Sequence, residues 1–551
     1  MQKTPIEIED EAPAAEDSKR KYIVVLGSLM SGLGKGIVSA SVGKILQSKG
    51  LKVVPIKFDG YLNVDCGTMN PFRHGEVFVL DDGTECDMDL GTYERFLDLD
   101  LDNYNNVTGG KILRYVIEKE RRGGYLGVDV QIVPHLTNDI KKWIRKVGRS
   151  FKADVVLIEI GGTAGDLENS YFIEAARQFA LENPGRVMFI QLTYVPTLSA
   201  VGEQKTKPTQ HATRLLQGMG IQPDVVICRE QEKLTADAKK KISLFCNVPV
   251  ENVIDDPDCK TIYEVPDIFE KQGIAEVIAK RLDLKMDGTG LKQWNSRVSG
   301  IKNPKHTVTI GITGKYTALK DSYVSIKEAL VHAGAELGCD AELKWIETTE
   351  IEQDKSKLKQ LEICDGVIVP GGYGARGTEG KITCINWART NKVPYLGLCF
   401  GMQLAVVEFA RNVCGLGKAN STEIDPHTPH PVIALLPEQK ALKLLGGTQR
   451  LGAYPAKLVK GTRTYAAYGK AEISERHRHR WEFNNDYLER LEKGGLVVSG
   501  TSPDGEIVEF IEWKDSFGIG TQAHPEFKSR LEKPAPLFYG LVQAALDYKK
   551  K

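Results

Sequence analysis

Short apolar runs, each closed by a glycine or a polar residue and followed by a stretch of helical length, recur along most of the chain. The first is Tyr22-Ile23-Val24-Val25-Leu26, which ends in a Gly-rich turn before a helical-looking stretch at residues 36–49. Further buried-strand candidates lie at 53–56, 155–160, 187–192 and 225–228, with helix-length segments between them. Such alternation predicts an α/β fold with a mostly parallel sheet covered on both faces. Between 285 and 305 the text turns to Gly, Ser, Asn, Lys and Pro without apolar periodicity, as a surface linker does. A second α/β series then begins, with strands expected at 307–312, 366–370 and 395–398 and a β-rich part from 496 to 520. The expected organisation is a disordered acidic tail at 1–20, one domain at 21–285, a linker at 286–305 and a second domain at 306–551.

A chain of 551 residues is too long for one hydrophobic core, which agrees with two large domains. Its 73 basic and 73 acidic residues balance, so nothing in the net charge points to nucleic acid or an anionic membrane. Small-molecule chemistry is the expectation. The ten cysteines form no C-x-x-C pair and read as reduced thiols. Glu7, Glu9, Asp10, Glu11, Glu16 and Asp17 precede no apolar h-region, and no apolar run has membrane-spanning length, so a cytoplasmic protein is expected.

The most specific chemical signal is Pro394-Tyr395-Leu396-Gly397-Leu398-Cys399-Phe400-Gly401-Met402-Gln403. An apolar strand runs into a cysteine flanked by glycines and then into a helix, the arrangement in which a tight turn lifts a nucleophile clear of its sheet. A lone Cys is ordinarily a buried filler. Here two further elements accompany it. His524-Pro525-Glu526 offers a base and a carboxylate to orient it, and Pro370-Gly371-Gly372-Tyr373-Gly374 offers backbone N–H groups to a developing oxyanion. The run Glu475-Arg476-His477-Arg478-His479-Arg480 is, by itself, more often a solvated basic face than a site.

In the first half, Ser31-Gly32-Leu33-Gly34-Lys35-Gly36 follows a strand and opens a helix, which suits a phosphate. It departs from the standard phosphate-binding loop, because Gly36 stands where a Ser or Thr would hold Mg²⁺. Carboxylates must then hold the metal, and the candidates are Asp89 and Glu159, the latter closing an apolar strand before Gly161-Gly162. Most such acids are surface residues or caps. Residues 202–211, which include Lys205, Thr206, Lys207, Pro208, Thr209 and Gln210, read equally as a loop for a polyanion or a solvated basic turn.

From about 306 to 545 these motifs resemble the class I glutamine amidotransferase domain. Leu33-Gly34-Lys35-Gly36, Lys57-Phe58-Asp59, Asn63-Val64-Asp65, His74-Gly75-Glu76-Val77-Phe78-Val79 and the segments 161–168 and 205–211 are similar to those of the CTP synthase family, a likeness running from Lys21 to about Ala545. The resemblance implies a P-loop-like parallel-sheet synthetase (amidoligase) domain followed by the amidotransferase domain. It implies attack of Cys399 on glutamine, with Gly372, Phe400, Gly401, Met402, Gln403, Glu423 and Arg480 at glutamine-contacting positions. Glu423 suits the α-amino group and Arg480 the carboxylate, each by opposite charge. The ammonia released would aminate UTP after ATP phosphorylates its 4-oxygen, giving CTP. Residues 31–36 would contact ATP with Lys35 on its phosphates, Asp89 and Glu159 would hold Mg²⁺, and Lys57 would neutralise charge during phosphoryl transfer. Ser31, residues 205–210 and Lys241 would bind the UTP or CTP triphosphate, and Asp166, Leu167 and Glu168 the inhibitory cytidine nucleotide.

The resemblance also implies product inhibition by CTP, stimulation by GTP with Arg376-Gly377 as a lid, a homotetramer, possible filament assembly, and a sealed ammonia passage with His74 near its uracil end. Gly60, where the family commonly has proline, and Gly32, where it has serine, are departures that remove no charged group. A cobyric-acid-type synthase is the enzyme alternative, against which residues 205–211 argue; an inactive structural relative is the other, against which the intact Cys399, His524, Glu526, Lys35, Asp89 and Glu159 argue.

Overall fold

The computed structural model describes residues 15–28, 30–69, 75–198, 202–315, 320–435 and 449–551. In the first half, seven strands form one sheet: β1 (Lys21–Gly27), β2 (Val53–Asp59), β3 (Asn106–Thr108), β4 (Val155–Ile160), β5 (Val187–Tyr194), β6 (Val225–Glu230) and β7 (Val253–Pro257). Their order is β7-β6-β5-β1-β4-β2-β3 and every neighbouring pair is parallel. Strands buried on both faces read as unbroken apolar runs, which is why β1, β4 and β5 were legible as sequence. Register matters at one place above all: Lys57 on β2 lies opposite Glu159 on β4.

The sheet of the second half joins β8 (His306–Gly314), β9 (Cys339–Glu347), β10 (Gly366–Val369), β11 (Tyr395–Leu398), β12 (Arg450–Leu458), β13 (Glu472–His479), β14 (Leu496–Thr501), β15 (Val508–Trp513) and β16 (Gly518–Thr521). The order is β9-β8-β10-β11-β16-β15-β14-β12-β13, parallel as far as β16 and antiparallel beyond it. Its apolar side chains pack into two clusters, one containing Val367, Val369, Phe400 and Met402 and the other Val308, Ile310, Leu396 and Leu398. Neighbours on the short strands β10 and β11 alternate between the two, as a two-residue period requires.

Three findings differ from the sequence expectations. The chain divides into two units, and the one holding Arg297–Lys551 also includes Gly67–Asp87, far away in sequence. The expected linker carries a helix, Lys292–Lys302, whose Trp294 and Val298, with Leu291 before it, are buried at helical spacing that the polar surroundings masked. At the N-terminus, Ala15–Ser18 forms a 3₁₀ turn, and Asp17 pairs with Arg20, both buried, so the expected disorder does not extend to residue 20. Residues 1–14 and His74 lie outside the described residues.

Candidate active sites

Strand β11 delivers Cys399 to a sharp turn before α1 (Phe400–Asn412), and its backbone adopts φ 49° and ψ −102°, a conformation side chains rarely occupy. The turn is locked by the Cys399 N–H donating to Thr521 O at 2.7 Å. Small residues are required around it: a Cβ on Gly401 would lie 2.0 Å from Val369 O, and one on Gly371 would lie 2.9 Å from His524 Cε1 and 3.7 Å from Cys399 Cβ. The glycine loop therefore rests against both members of the proposed pair. His524 Nδ1 donates to Glu526 Oε1 at 2.8 Å, leaving Nε2 as the nitrogen for sulfur. Burial alone would lower the His524 imidazolium, but Glu526 and Cys399 outweigh it and push the group up to about 10. At neutral pH His524 holds its proton. A cation so placed stabilises the thiolate from which sulfur attacks.

The glutamine-contacting candidates divide. The Glu423 carboxylate accepts from Gly374 N–H at 2.7 Å. Burial raises it, while that hydrogen bond and the cations Lys315, Arg480 and Lys381 oppose the rise, which places Arg480 within its electrostatic reach. Gln403 Nε2 donates to Trp481 O at 2.7 Å, and its buried Oε1 has no partner, an acceptor available to an amide. Phe400 and Met402 point into the core, so only their backbone can serve a ligand. A cavity of about 170 Å³ borders Cys399, lined on one side by Gly371, Gly372, His524 and Glu526 and on another by Glu76 and Val77. Glu76 accepts from Ser325 N–H at 3.1 Å, within the same unit.

In the other unit, the loop after β1 leads into α2, Lys35–Ser48, through Gly34 with φ 91°, and Gly32 at φ 78° likewise takes a conformation that favours glycine. Lys35 Nζ donates to Gly162 O at 2.7 Å. Burial pulls its ammonium below the ordinary lysine value, against the pull of Glu159. A Cβ on Gly36 would lie 2.4 Å from Asp89 Oδ1. The missing side chain is thus the space into which Asp89, from the helix α3 (Met88–Leu97), projects. Lys57 pairs with Asp89 and lies 4.0 Å from Glu159, whose other oxygen accepts from Tyr93. Burial raises the Glu159 carboxyl; Lys57 opposes the rise and Asp89 adds to it. Among the described residues no group of three or more His, Cys, Asp or Glu is placed to hold a metal. Two oxygen donors of like charge, next to a helix N-terminus, nonetheless fit a hard divalent cation completed by phosphate or water.

Comparison with known proteins agrees with this pairing of sites. The model "CTP synthase N-terminus" matches residues 21–284, and "Glutamine amidotransferase class-I" matches 318–544. The CTP synthase of Pyrococcus furiosus is 54% identical over 96% of this chain and 99% of its own, and that of Staphylococcus carnosus 52% over 96% and 98%. The chain belongs to the CTP synthase family. It is an enzyme of the ligase class. Among solved structures, the glutaminase domain of Trypanosoma brucei CTPS with bound acivicin is 34% identical, covering 44% of this chain and 94% of that one, with a TM-score of 0.41.

Of the remaining candidate positions, Gly60 and residues 166–168 follow strands β2 and β4, while Lys241 lies within the helix Ala236–Cys246. Residues 207–210 are not loop, as the sequence suggested, but the first turn of α4 (Lys207–Gly218), with Pro208 in that turn and Thr206 preceding it. Proline and a free set of N–H groups favour that geometry. Thr209 bonds Thr193 at 3.2 Å at the end of β5, the sheet neighbour of β1, so both loops leave the same sheet edge. Gln210 donates to Thr206 at 3.0 Å. Lys205 donates to Glu203 at 2.5 Å and Lys241 also acts on that acid, which brings the two cations together. Asp166 is occupied in accepting from Thr163 N–H and Oγ1 at 2.6 and 2.8 Å, while Leu167 is 82% exposed. Gly60 has its own reason in this member of the CTP synthase family: a Cβ there would lie 2.7 Å from Glu168 Cβ. The sequence reading missed Tyr93 beside Glu159 and Lys315 and Lys381 beside the glycine loop, and it quoted Glu76 and Val77 as family motif without placing them at the Cys399 cavity. All of them lie within a few residues of motifs or strands the sequence reading singled out, Lys381 four residues after Gly377 on a helix that also buries Ile382 and Ile385.

Proposed function

We propose that this chain makes CTP from UTP, with ATP and glutamine as co-substrates, and that its two units divide the work. In the amidotransferase unit Cys399 attacks the glutamine side-chain amide. The proton on His524 goes to the departing ammonia, Glu526 keeps the imidazole oriented, and water then hydrolyses the glutamyl thioester. N–H groups of the loop at Gly371 and Gly372 receive the oxyanion. Glu423 and Arg480 bind the two charged ends of glutamine, and Gln403 Oε1 accepts from its amide.

In the synthetase unit ATP phosphorylates the UTP 4-oxygen and ammonia displaces that phosphate. Lys35 and the N–H groups at the start of α2 bind ATP phosphates, and Lys57 offsets the charge moving between them. Asp89 and Glu159 would hold Mg²⁺, which supplies positive charge to the phosphate oxygens. Residues 205–210 and Lys241 bind the UTP triphosphate, and CTP competes there as an inhibitor. Assembly as a homotetramer is part of this reading, and Leu126 and Ile132, exposed at 94% and 57%, are apolar surface that a subunit contact would cover. GTP stimulation is read onto Arg376, which donates to Lys315 O at 3.1 Å beside the glycine loop.

The observation that carries the reading is the Cys399, His524 and Glu526 constellation opening on a cavity walled by Glu76 and Val77. Such a cavity suits carriage of neutral ammonia, which would protonate in bulk water. The test is CTP formation from glutamine and from ammonium chloride in wild type and Cys399→Ala. We expect the variant to lose only the glutamine-dependent reaction; equal loss of both would refute the division of labour.

A further inference from the structure

We propose that Gln522 is a catalytic residue of the glutaminase site: its side-chain amide donates a hydrogen bond to the Cys399 sulfur and holds the thiolate in position for attack. The proposal rests on the reading of Cys399 as nucleophile.

Gln522 follows β16 directly, is completely buried, and is fixed at the backbone by donating to Glu509 O at 2.9 Å. The residue before it, Thr521, accepts the Cys399 N–H, so elbow and glutamine are held by one stretch of backbone. Gln522 Nε2 stands 3.6 Å from Cys399 Sγ. Its Oε1 accepts from Gln403 Nε2 at 3.3 Å, and Gln403 Nε2 also donates to Trp481 O at 2.7 Å.

These bonds decide which way the amide faces. An amide nitrogen donates and does not accept, so the NH₂ of Gln403, held by the Trp481 carbonyl, requires an oxygen opposite it. Gln522 must present Oε1 there and turn its own NH₂ to sulfur. The opposite orientation would oppose two donors and point a carbonyl oxygen at a developing anion.

The bond favours the reactive thiolate over the neutral thiol. Arg478 O, 3.8 Å from Sγ, can accept from a thiol S–H but repels a thiolate. Gln522 acts in the reverse sense, because an N–H bond to an ionised partner is about twice as strong as one to a neutral partner. Being uncharged, the amide is buried without the cost of an ion and does not compete for the proton on His524.

The test uses Gln522→Met, which removes the donor, and Gln522→Glu, which keeps the shape and replaces the donor with an acceptor. Three measurements are made on the full-length enzyme: kcat/KM for glutamine hydrolysis, the pH profile of inactivation by iodoacetamide, and the melting curve. We expect kcat/KM to fall about 10- to 100-fold in Gln522→Met and further in Gln522→Glu, with the inactivation profile displaced to higher pH in both. Values within about threefold of wild type would overturn the proposal. So would reduced turnover with an unmoved inactivation profile, the signature of a purely structural role. If Gln522→Met melts early, the isosteric Gln522→Glu decides the matter. Glutamine hydrolysis surviving in Cys399→Ala would overturn the nucleophile reading, and this proposal with it.

Discussion

Replacing Gly36 with serine would give α2 the hydroxyl that a standard phosphate-binding loop carries, yet we expect it to damage the enzyme. The new Cβ would lie 2.4 Å from Asp89 Oδ1 and 2.8 Å from its Cγ, where ordinary contact begins near 3.4 Å. The carboxylate must retreat by roughly 1 Å, out of its pairing with Lys57. A charge-assisted hydrogen bond contributes about 1.5–3 kcal/mol, equivalent to about 10- to 150-fold in rate if it supports the transition state. Crowding costs about 1–3 kcal/mol of stability besides. The assay is CTP formation with ammonium chloride as nitrogen source, with glutamate release from glutamine measured alongside. The first should fall at least tenfold, on the order of one lost charged bond, while Cys399 chemistry survives. Gly36→Ala should behave as the serine variant does, since the conflict is with Cβ. Full activity in Gly36→Ser, or a marked gap between Ser and Ala, would show that a hydroxyl can stand in for Asp89 and that the steric argument is wrong.

Glu423→Gln keeps an acceptor for Gly374 N–H but removes the charge; KM for glutamine should rise about 10-fold or more, and an unchanged KM would exclude an ionic role at the α-amino group. The pH dependence of stability carries two opposed contributions. His524, with a folded value of about 10 against an ordinary 6.5, stabilises fully below 6.5 and loses that contribution as pH rises through 10. Lys381 is pulled by burial, and by Lys315, from 10.5 to about 7, so its contribution grows with pH over that interval. Lys381→Met should therefore steepen the alkaline decline in the amidotransferase unit's melting temperature; a shallower decline would contradict both assignments.

How much the sequence revealed follows from how local each feature is. Parallel strands are apolar on both faces, so β1, β4 and β5 stood out. The cysteine elbow was legible because it compresses strand, turn and helix into ten residues, Pro394 to Gln403. Gly36 could be read as a departure, but that Asp89 fills its place depends on a helix some fifty residues on folding back against it. Trp294 escaped notice because Lys, Asn and Ser surround it, although with Leu291 and Val298 it obeys a helical period. Gln522 sits two residues before His524, yet an amide has no distinctive chemistry until its orientation is fixed by Gln403. The placement of Gly67–Asp87 with the amidotransferase unit was out of reach, since its bonds from Arg476 to Asp81 and Arg478 to Glu85 span 395 and 393 residues.

Those two ion pairs also explain the run from Glu475 to Arg480, which resembles a solvated basic face and is not one. Strand β13 presents alternate residues to opposite faces. Arg476 and Arg478 go to Asp81 at 2.5 Å and Glu85 at 2.8 Å. His477 and His479 go the other way, bonded to each other at 3.0 Å, and burial together with Arg450 pulls both far below the ordinary imidazole value. Burial lifts Glu475 to about 7 while Tyr468 donates to it. Among the strand's basic side chains the positive charge is thus carried by Arg476 and Arg478, and each has a defined acceptor. Arg478 is the junction: its side chain binds Glu85, while its carbonyl accepts from Tyr373 at 2.8 Å and lies beside the Cys399 sulfur. A shift of Glu85 would therefore reach the nucleophile and the glycine loop through one residue, without passing through the hydrophobic core.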